Sequence, residues 1–340
     1  MPVSTDLLTV PAARRSAIEA MARELVPGRR VAISTHMNAD GDGCGSETAL
    51  ARLLAAHGLA PHIVNPTPWP EMFQFLLGDD VVDRTSRGSK ALRDIDLLLV
   101  VDISDVKRLG VLADSVRALT VPRLVIDHHI DSDEPAGSIV VRDVDACATA
   151  ELVYDLATVL GWEINAAAAR SLYTGMLTDT GGFRFSNTSP RCLAVAAQLL
   201  ARGVDPEDMY TRIYASAPAG RVRLMADVLG TLQVDEAVGL SWLSMRAGAL
   251  EDHGVRAEDL DGIVEHARSI AGTRMALFFR DLGHGKVKVS FRSTGDTDVN
   301  AFARRFGGGG HAKAAGALIA GELGEVRDSV VQAAREFLAG

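Results

Sequence analysis

Histidine and aspartate residues recur in four short segments of the first half of the chain. They are His36, Asp40 and Asp42 in the first segment, Asp102 in the second, Asp127, His128 and His129 in the third, and Asp179 in the fourth. Carboxylates crowded into one cleft repel one another and raise each other's pKa unless cations neutralise them. Two divalent cations with imidazole co-ligands would cancel the charge, and this oxygen-rich donor set favours Mn²⁺, with Mg²⁺ or Co²⁺ as alternatives.

Short aliphatic runs precede the first three segments. Residues 30–35, 95–102 and 123–127 each contain an unbroken apolar run, as buried parallel strands do. Helical patterns cover residues 46–57, 149–160 and 165–177, and Pro190 begins another helix. This alternation predicts an α/β domain with a mainly parallel sheet. Ligands of such sheets bind beyond the carboxyl ends of the strands, where these segments would meet.

Glycines separate the acidic residues of the first segment. We interpret residues 36–45 as a loop in which Gly41, Gly43 and Gly45 permit sharp turns and close approach to a phosphate. Alternate residues of an extended loop point in opposite directions, so Asp40 and Asp42 would face two different cations. The other interpretation is a simple cap, since Asp commonly precedes a helix.

Composition restricts the class of partner. The 340-residue chain has a net charge of −9, 5% aromatic residues and no block of Lys and Arg longer than two residues. Proteins that bind long nucleic acid carry a basic face that neutralises phosphates. We therefore expect a small phosphate-bearing ligand, either a nucleotide or a short RNA, and no long nucleic acid.

The cysteines and the amino terminus concern the compartment. Cys44, Cys147 and Cys192 are far apart and form no C-x-x-C pair, which is typical of a reducing cytosol. The first residues lack the basic start and apolar run of a signal peptide, and no apolar run is long enough to span a bilayer. We expect a cytoplasmic protein without membrane partners.

The pattern changes after Gly203. Residues 204–225 are interpreted as a helical linker, following a catalytic domain over residues 1–203. Residues 226–340 contain four strand-like runs and three helical stretches, which predict a second, smaller α/β domain. The strands are expected near 232–234, 240–245, 275–280 and 286–292, and the helices near 258–270, 299–305 and 326–338.

The four segments resemble the motifs of the DHH phosphoesterase superfamily, named after the triplet seen here at Asp127, His128 and His129. Residues 306–316 (FGGGGHAKAAG) resemble the glycine-rich signature of the DHHA1 domain. Together they are similar to the NrnA-like subfamily of oligoribonucleases and phosphoadenosine-phosphate phosphatases, which includes cyclic-dinucleotide phosphodiesterases. The resemblance covers nearly the whole chain. It departs at Ala39, where the family commonly has proline, and this removes no ligand.

The resemblance implies two metal ions that share a ligand. One ion would be bound by His36, Asp40 and Asp102. The second would be bound by Asp42, Asp102, His128 and Asp179, so that Asp102 bridges the pair. His129 would then be free to contact the phosphate or to protonate the leaving oxygen. Family resemblance also implies a homodimer.

The second domain is expected to recognise the nucleotide. The resemblance implies that Arg292, Ser293 and His311 contact it, with Asn300 and Arg304 in weaker support. The backbone N–H groups of the run that includes Gly309 and Gly310 could hold a phosphate, although the same run could be a flexible loop. An arginine offers two parallel N–H donors to a phosphate, which a lysine does not.

The sequence therefore predicts a two-metal phosphoesterase that cleaves short oligoribonucleotides, 3′-phosphoadenosine 5′-phosphate (PAP), or linear or cyclic dinucleotides to mononucleotides. One alternative is an inorganic pyrophosphatase, which shares the metal motifs, but the GGGGH segment argues against it. The other is a nucleotide sensor that has lost catalysis. The presence of all six proposed ligands argues against the sensor.

Overall fold

The aliphatic runs form the centre of a parallel sheet in a computed structural model, which describes residues 7–103, 105–130, 132–260, 262–310 and 312–339. The chain divides into two compact units, Met1–Ala215 and Ser216–Gly340. The strands of the first unit are β1 (Arg30–Ser34), β2 (Ala60–Ile63), β3 (Leu97–Val101), β4 (Arg123–Asp127) and β5 (Ile139–Arg142). The predicted parallel sheet is confirmed, and its two edge strands β2 and β5 were not predicted.

Helices connect and flank these strands. They are α1 (Ala12–Ala22), α2 (Gly41–Ala56), α3 (Ala113–Arg117), α4 (Thr149–Leu160), α5 (Ala166–Asp179), α6 (Pro190–Leu200) and α7 (Pro206–Tyr214). Three 3₁₀ helices cover Glu71–Leu76, Thr85–Leu92 and Val106–Leu112. The predicted start of α6 at Pro190 is confirmed, and the Ser189 side chain caps the helix by accepting a hydrogen bond from the Cys192 N–H.

The order of the strands creates a crevice. It is β2-β1-β3-β4-β5, with every pair parallel. The chain leaves β1 towards β2 on one side and resumes with β3 on the other side. The carboxyl ends of β1 and β3 therefore flank a topological switch point, where open α/β sheets bind their ligands.

Side chains of the central strands alternate between two cores. Val31 and Ile33 pack in the core that includes α2, α4 and α5, whereas Ala32 packs in a core with the 3₁₀ helix Val106–Leu112 and α3. Leu98 lies in the second core, and its neighbours on β3 lie in the first. Burial on both faces explains why the strands are continuously apolar instead of alternating with polar residues.

The first motif differs from the sequence interpretation. Helix α2 begins at Gly41 and not near Ser46, so the glycines lie inside a helix and not in a turn. A Cβ on Gly41 would overlap the Thr178 side chain, and one on Gly43 would lie 2.7 Å from Thr35 Oγ1. Glycine is thus required by close packing and not by an unusual backbone angle, which is why a local turn rule was wrong here.

We expect Gly45→Ala to destabilise the first unit by about 2–3 kcal/mol, since its Cβ would overlap the Ser171 carbonyl oxygen on α5. Helix propensity alone would favour alanine. The matched control is Gly324→Ala, a helical position where nothing lies within 4 Å of the added Cβ. Urea unfolding followed by circular dichroism measures both. A Gly45→Ala chain as stable as the control would contradict close packing of α2 on α5.

The second unit contains a mostly antiparallel sheet. Its strands are β6 (Gln233–Asp235), β7 (Leu240–Met245), β8 (Met275–Asp281), β9 (Lys286–Ser293), β10 (Gly309–Gly310) and β11 (Ala314–Ala320). They lie in the order β10-β11-β9-β8-β7-β6, and only β7 and β8 pair in parallel. Phe279, Phe291 and Phe302 are fully buried in its core. The expected second α/β domain is thus present.

Helices complete the second unit. They are α8 (Ala219–Leu229), α9 (Ala249–His253), α10 (Ile263–Arg268), α11 (Val299–Arg304) and α12 (Leu323–Ala339), with a 3₁₀ helix at Ala257–Leu260. The proposed linker, residues 204–225, contains α7 of the first unit and the start of α8 in the second. Across the described parts of the chain, we find no helix whose length and apolar character would allow it to cross a bilayer.

Candidate metal centre

Strand ends and helix ends place the predicted residues. His36 follows β1, Asp102 directly follows β3, and His128 directly follows β4. Asp42 lies in the first turn of α2, and Asp179 is the last residue of α5. Each of these strands and helices has one end at the crevice beside the switch point, which is where open parallel sheets bind their ligands.

The first donor group surrounds His36. Its Nε2 lies 3.3 Å from Asp102 Oδ2 and 3.7 Å from Asp40 Oδ1. Its Nδ1 lies 2.9 Å from the Met37 carbonyl oxygen, so we assign the ring proton to Nδ1. The Nε2 atom is then a buried acceptor without a hydrogen-bond partner, and it faces two carboxylates. Three acceptors that face one another are a suitable set for a cation.

The second donor group surrounds His128. Its Nε2 lies 3.6 Å from Asp179 Oδ2, 3.7 Å from Asp102 Oδ1 and 3.9 Å from Asp42 Oδ2. Its Nδ1 lies 3.3 Å from the Ala146 carbonyl oxygen. Asp102 therefore directs one carboxylate oxygen to each group. All six residues proposed as ligands lie in these two groups, each of which could hold a metal ion.

The four carboxylates of the cluster outnumber its two imidazoles. Burial and the neighbouring Asp42 raise the pKa of Asp102 well above its usual value. The same two causes raise the pKa of Asp179 to about 7. Although burial opposes it, the neighbouring carboxylates of Asp102 and Asp40 raise the pKa of His36 to about 10. These residues would bind protons in the absence of metal, and divalent cations would replace those protons.

Helix α4 holds Asp42 in place. The N-cap residue of α4 is Ala148, which has no side chain that could cap the helix. Asp42 accepts the backbone N–H of Thr149 at 2.6 Å and that of Ala150 at 2.9 Å instead. The Thr149 hydroxyl also donates to Asp102 Oδ1 at 3.2 Å. Sequence analysis missed Thr149, and a helix that begins without a capping side chain was the available signal.

Asp102 has a left-handed backbone conformation, with φ of 62°. Among residues with a side chain, Asp and Asn adopt this region most readily. The conformation ends strand β3 abruptly at the crevice. It also means that a substitution at this position keeps the backbone unstrained only if it is Asn or Gly.

His129 lies beside the same carboxylate as His128, with its Nδ1 3.7 Å from Asp102 Oδ1, and these three residues form a further group that could hold a metal ion. It also has a closer partner of its own. Its Nδ1 lies 2.7 Å from Oδ1 of the fully buried Asp127. Burial opposes ionisation of Asp127, but the hydrogen bond from His129 holds the pKa of this carboxyl below its usual value. The Nδ1–H group therefore donates to Asp127 and leaves Nε2 available for another group. The orienting role of Asp127 was missed, because the sequence shows it only as part of the triplet.

Asn187 supports Asp179. Its side-chain nitrogen donates to the Cys147 carbonyl oxygen at 2.9 Å and to the Asp179 carbonyl oxygen at 3.2 Å. It also lies 3.4 Å from Asp179 Oδ2. This contact fixes the end of α5, and no sequence pattern pointed to it.

The proposed nucleotide-binding residues lie together in the second unit. Arg292 donates through Nε to Glu265 at 3.0 Å. The buried Ser293 hydroxyl contacts the Thr297 carbonyl oxygen at 2.7 Å. Asn300 accepts the Gly310 N–H at 3.0 Å, so the glycine run is held against α11 and its second half is strand β10. Gly309 and Arg304 are exposed, and His311 lies outside the described residues.

Comparisons with known proteins agree with this architecture. The model of the DHH family, N-terminal domain, matches residues 30–176, and the DHHA1 domain matches residues 239–340. The bifunctional oligoribonuclease and PAP phosphatase NrnA of Thermus thermophilus is 36% identical over 312 residues, covering 90% of this chain and 89% of that protein. The protein of the same name from Bacillus subtilis is 28% identical, with 85% and 89% covered.

Solved structures show the same fold. An exopolyphosphatase-related protein from Bacteroides fragilis superposes with a TM-score of 0.86 and 25% identity, covering 96% of this chain and 98% of that one. Exonuclease RecJ bound to manganese superposes with a TM-score of 0.55 at 20% identity, covering 99% and 96%. These domains define a DHH/DHHA1 phosphoesterase. Within that class the chain belongs to the NrnA family of metal-dependent hydrolases of phosphoester bonds.

Proposed function

We propose that this protein binds two divalent cations, preferably Mn²⁺, and hydrolyses short oligoribonucleotides and PAP to mononucleotides. The observation that carries the proposal is the position of Asp102, whose two oxygens face separate donor groups. His36 and Asp40 complete one group. Asp42, His128 and Asp179 complete the other.

When bound, two such cations supply an activated water and neutralise the charge that develops on the attacking and leaving oxygens. The residues of this chain fix the geometry of that reaction. Helix α4 and Asn187 hold Asp42 and Asp179 in position. Asp127 orients His129, so that its free Nε2 can contact the phosphate or deliver a proton to the leaving oxygen.

The substrate class follows from the relatives and from the charge. The T. thermophilus and B. subtilis relatives are named as oligoribonucleases and PAP phosphatases. A net charge of −9 disfavours long RNA, which supports substrates of a few nucleotides. We include linear and cyclic dinucleotides such as cyclic di-AMP as candidate substrates. We also propose that the protein is cytoplasmic and forms a homodimer. Its three free, buried cysteines are consistent with a reducing compartment.

Arg292→Ala is expected to raise KM for a linear diadenylate by about tenfold or more, while kcat changes less, because an arginine fork that binds phosphate is lost. Arg292 also pairs with Glu265, which fixes its side chain. Arg246→Ala is the matched control, since this exposed arginine pairs with Asp252 in the same unit. Steady-state kinetics with both variants check the role. Equal KM values for the wild type and Arg292→Ala would contradict a role of Arg292 in substrate binding.

One chromatographic assay tests the function. The chain would be incubated with Mn²⁺ and, separately, a linear diadenylate, PAP, cyclic di-AMP and pyrophosphate at matched concentrations. We expect AMP from the diadenylate and AMP plus phosphate from PAP, with both reactions abolished by a chelator. Phosphate release from pyrophosphate alone would support the pyrophosphatase alternative. Absence of metal-dependent turnover with every substrate would support the sensor.

A further inference from the structure

A second charged cavity lies at the opposite end of the sheet from the metal centre. It has a volume of about 580 Å³ and is lined by Arg30 at the start of β1 and Ala60 at the start of β2. Ala55, near the end of α2, also lines it, whereas Asp42 lies in the first turn of that helix. Thirteen helical residues span about 20 Å, so the cavity is separate from the metal centre.

Four basic residues of the cavity lining recur at intervals of three in the sequence. They are Arg84, Arg87, Lys90 and Arg93, here called the basic row, and all four line the cavity. They flank or lie within the 3₁₀ segment Thr85–Leu92, whose helical geometry is interrupted at Gly88. The eclipsed spacing of a continuous 3₁₀ helix therefore does not extend along the whole segment, and it is the shared cavity that brings the four side chains together. A search for consecutive basic residues does not detect this group.

The charge of this row is not neutralised by the chain. Within the described ranges, no carboxylate forms an ion pair with any of the four side chains. Of the acidic residues that line the cavity, Asp80 is paired with Arg52, and Asp94 is exposed. Burial, together with the nearby Arg84 and Arg87, lowers the pKa of His62, which also lines the cavity. The whole chain has a net charge of −9, so the excess of basic side chains at this cavity is a local feature.

We propose that this cavity binds a small anion that carries several phosphoryl groups. The volume is that of a small-molecule site. Several guanidinium and ammonium groups that line one cavity can contact several phosphoryl groups at once, which a single phosphate does not offer. None of the described residues that line it is Phe, Tyr or Trp, so it offers no aromatic platform of the kind that stacks the bases of single-stranded RNA. The proposal does not rest on the proposed function.

Calorimetric titration of the full chain with inorganic tripolyphosphate, without added divalent cation, tests the site. A variant of the cavity lining, Arg87→Gln/Lys90→Gln, is called the groove variant. It is compared with the control Arg15→Gln/Arg223→Gln, which removes the same amount of charge from two exposed arginines elsewhere. We expect wild type and control to bind alike, and the groove variant to bind about tenfold more weakly or worse, because two charge-assisted contacts are lost. Added salt should weaken binding.

The competing outcomes are distinguished by other ligands. Tighter binding of adenosine triphosphate than of tripolyphosphate would identify a nucleotide as the ligand, and equal binding would identify a free polyphosphate chain. Equal affinity of the wild type, the groove variant and the control for tripolyphosphate would overturn the proposal. Orthophosphate binding as tight as that of tripolyphosphate would overturn it as well. Tighter binding of a single-stranded RNA pentamer would also overturn it. If circular dichroism shows that the groove variant is unfolded, Arg84→Gln/Arg93→Gln replaces it in the same titration.

Discussion

Asp102→Asn should lower kcat for diadenylate hydrolysis by about 10⁴-fold or more, because both donor groups lose their shared carboxylate and metal binding is lost with it. Asn keeps the size of the side chain and tolerates the φ of 62° at this position. The loss can therefore be attributed to charge and not to backbone strain. Initial rates over a series of Mn²⁺ concentrations measure the effect.

The same substitution makes an unusual prediction for stability. In the metal-free chain, burial and the neighbouring charge of Asp42 both raise the pKa of Asp102. An ionised Asp102 therefore destabilises the metal-free fold. Metal-free Asp102→Asn should consequently unfold at a temperature equal to or above that of the metal-free wild type. Added Mn²⁺ should raise the melting temperature of the wild type and leave that of Asp102→Asn unchanged.

Asp114→Asn is the matched control for charge. This carboxylate is 96% exposed and pairs with Arg117 on the surface, so its loss should change neither activity nor the response to Mn²⁺. Retention of even a tenth of wild-type kcat by Asp102→Asn would contradict its role as a shared ligand.

His129→Gln is expected to lower kcat by about 10²–10⁴-fold while the affinity for Mn²⁺ stays within a few-fold of wild type. The reason is that His129 Nδ1 contacts Asp127, and we propose that its Nε2 contacts the substrate. His128→Gln should weaken Mn²⁺ binding, since His128 Nε2 faces three carboxylates. Kinetics combined with calorimetric Mn²⁺ titration separate the two histidines.

Asp127→Asn supplies the control for orientation. The amide can still occupy the position beside His129, but it no longer favours a proton on Nδ1, so kcat should fall less than in His129→Gln. If His129→Gln instead abolished Mn²⁺ binding, His129 would be a metal ligand and the assignment of a separate role would be wrong.

Much of the catalytic unit could be predicted because its determinants are local. Buried parallel strands produce continuous aliphatic runs, and polar residues at their carboxyl ends must meet at one edge of the sheet. Asp102 and His128 were found in this way, as each directly follows a strand. The bounds of β4 and α4 were also predicted, since both are defined by clear changes of composition.

The errors and omissions have a common physical origin in contacts between distant segments. Gly41 and Gly43 suggested a turn, but packing against Thr178 and Thr35 accounts for them. Thr149 lies 107 residues from Asp42, and only the folded chain shows that the one donates to the other. The basic row that begins at Arg84 was overlooked because its members are not consecutive, and only the fold shows that they line one cavity with residues of β1, α2 and β2.

Anomalous diffraction at the manganese edge, from crystals of the full chain grown with MnCl₂, tests the central claim most directly. We predict two peaks about 3.5–4 Å apart, the separation typical of two-metal phosphoesterase sites. One should lie beside His36 and Asp40, the other among Asp42, His128 and Asp179, with an oxygen of Asp102 at each. A map without manganese at this cluster, or with a single peak that Asp102 does not contact, would contradict the account.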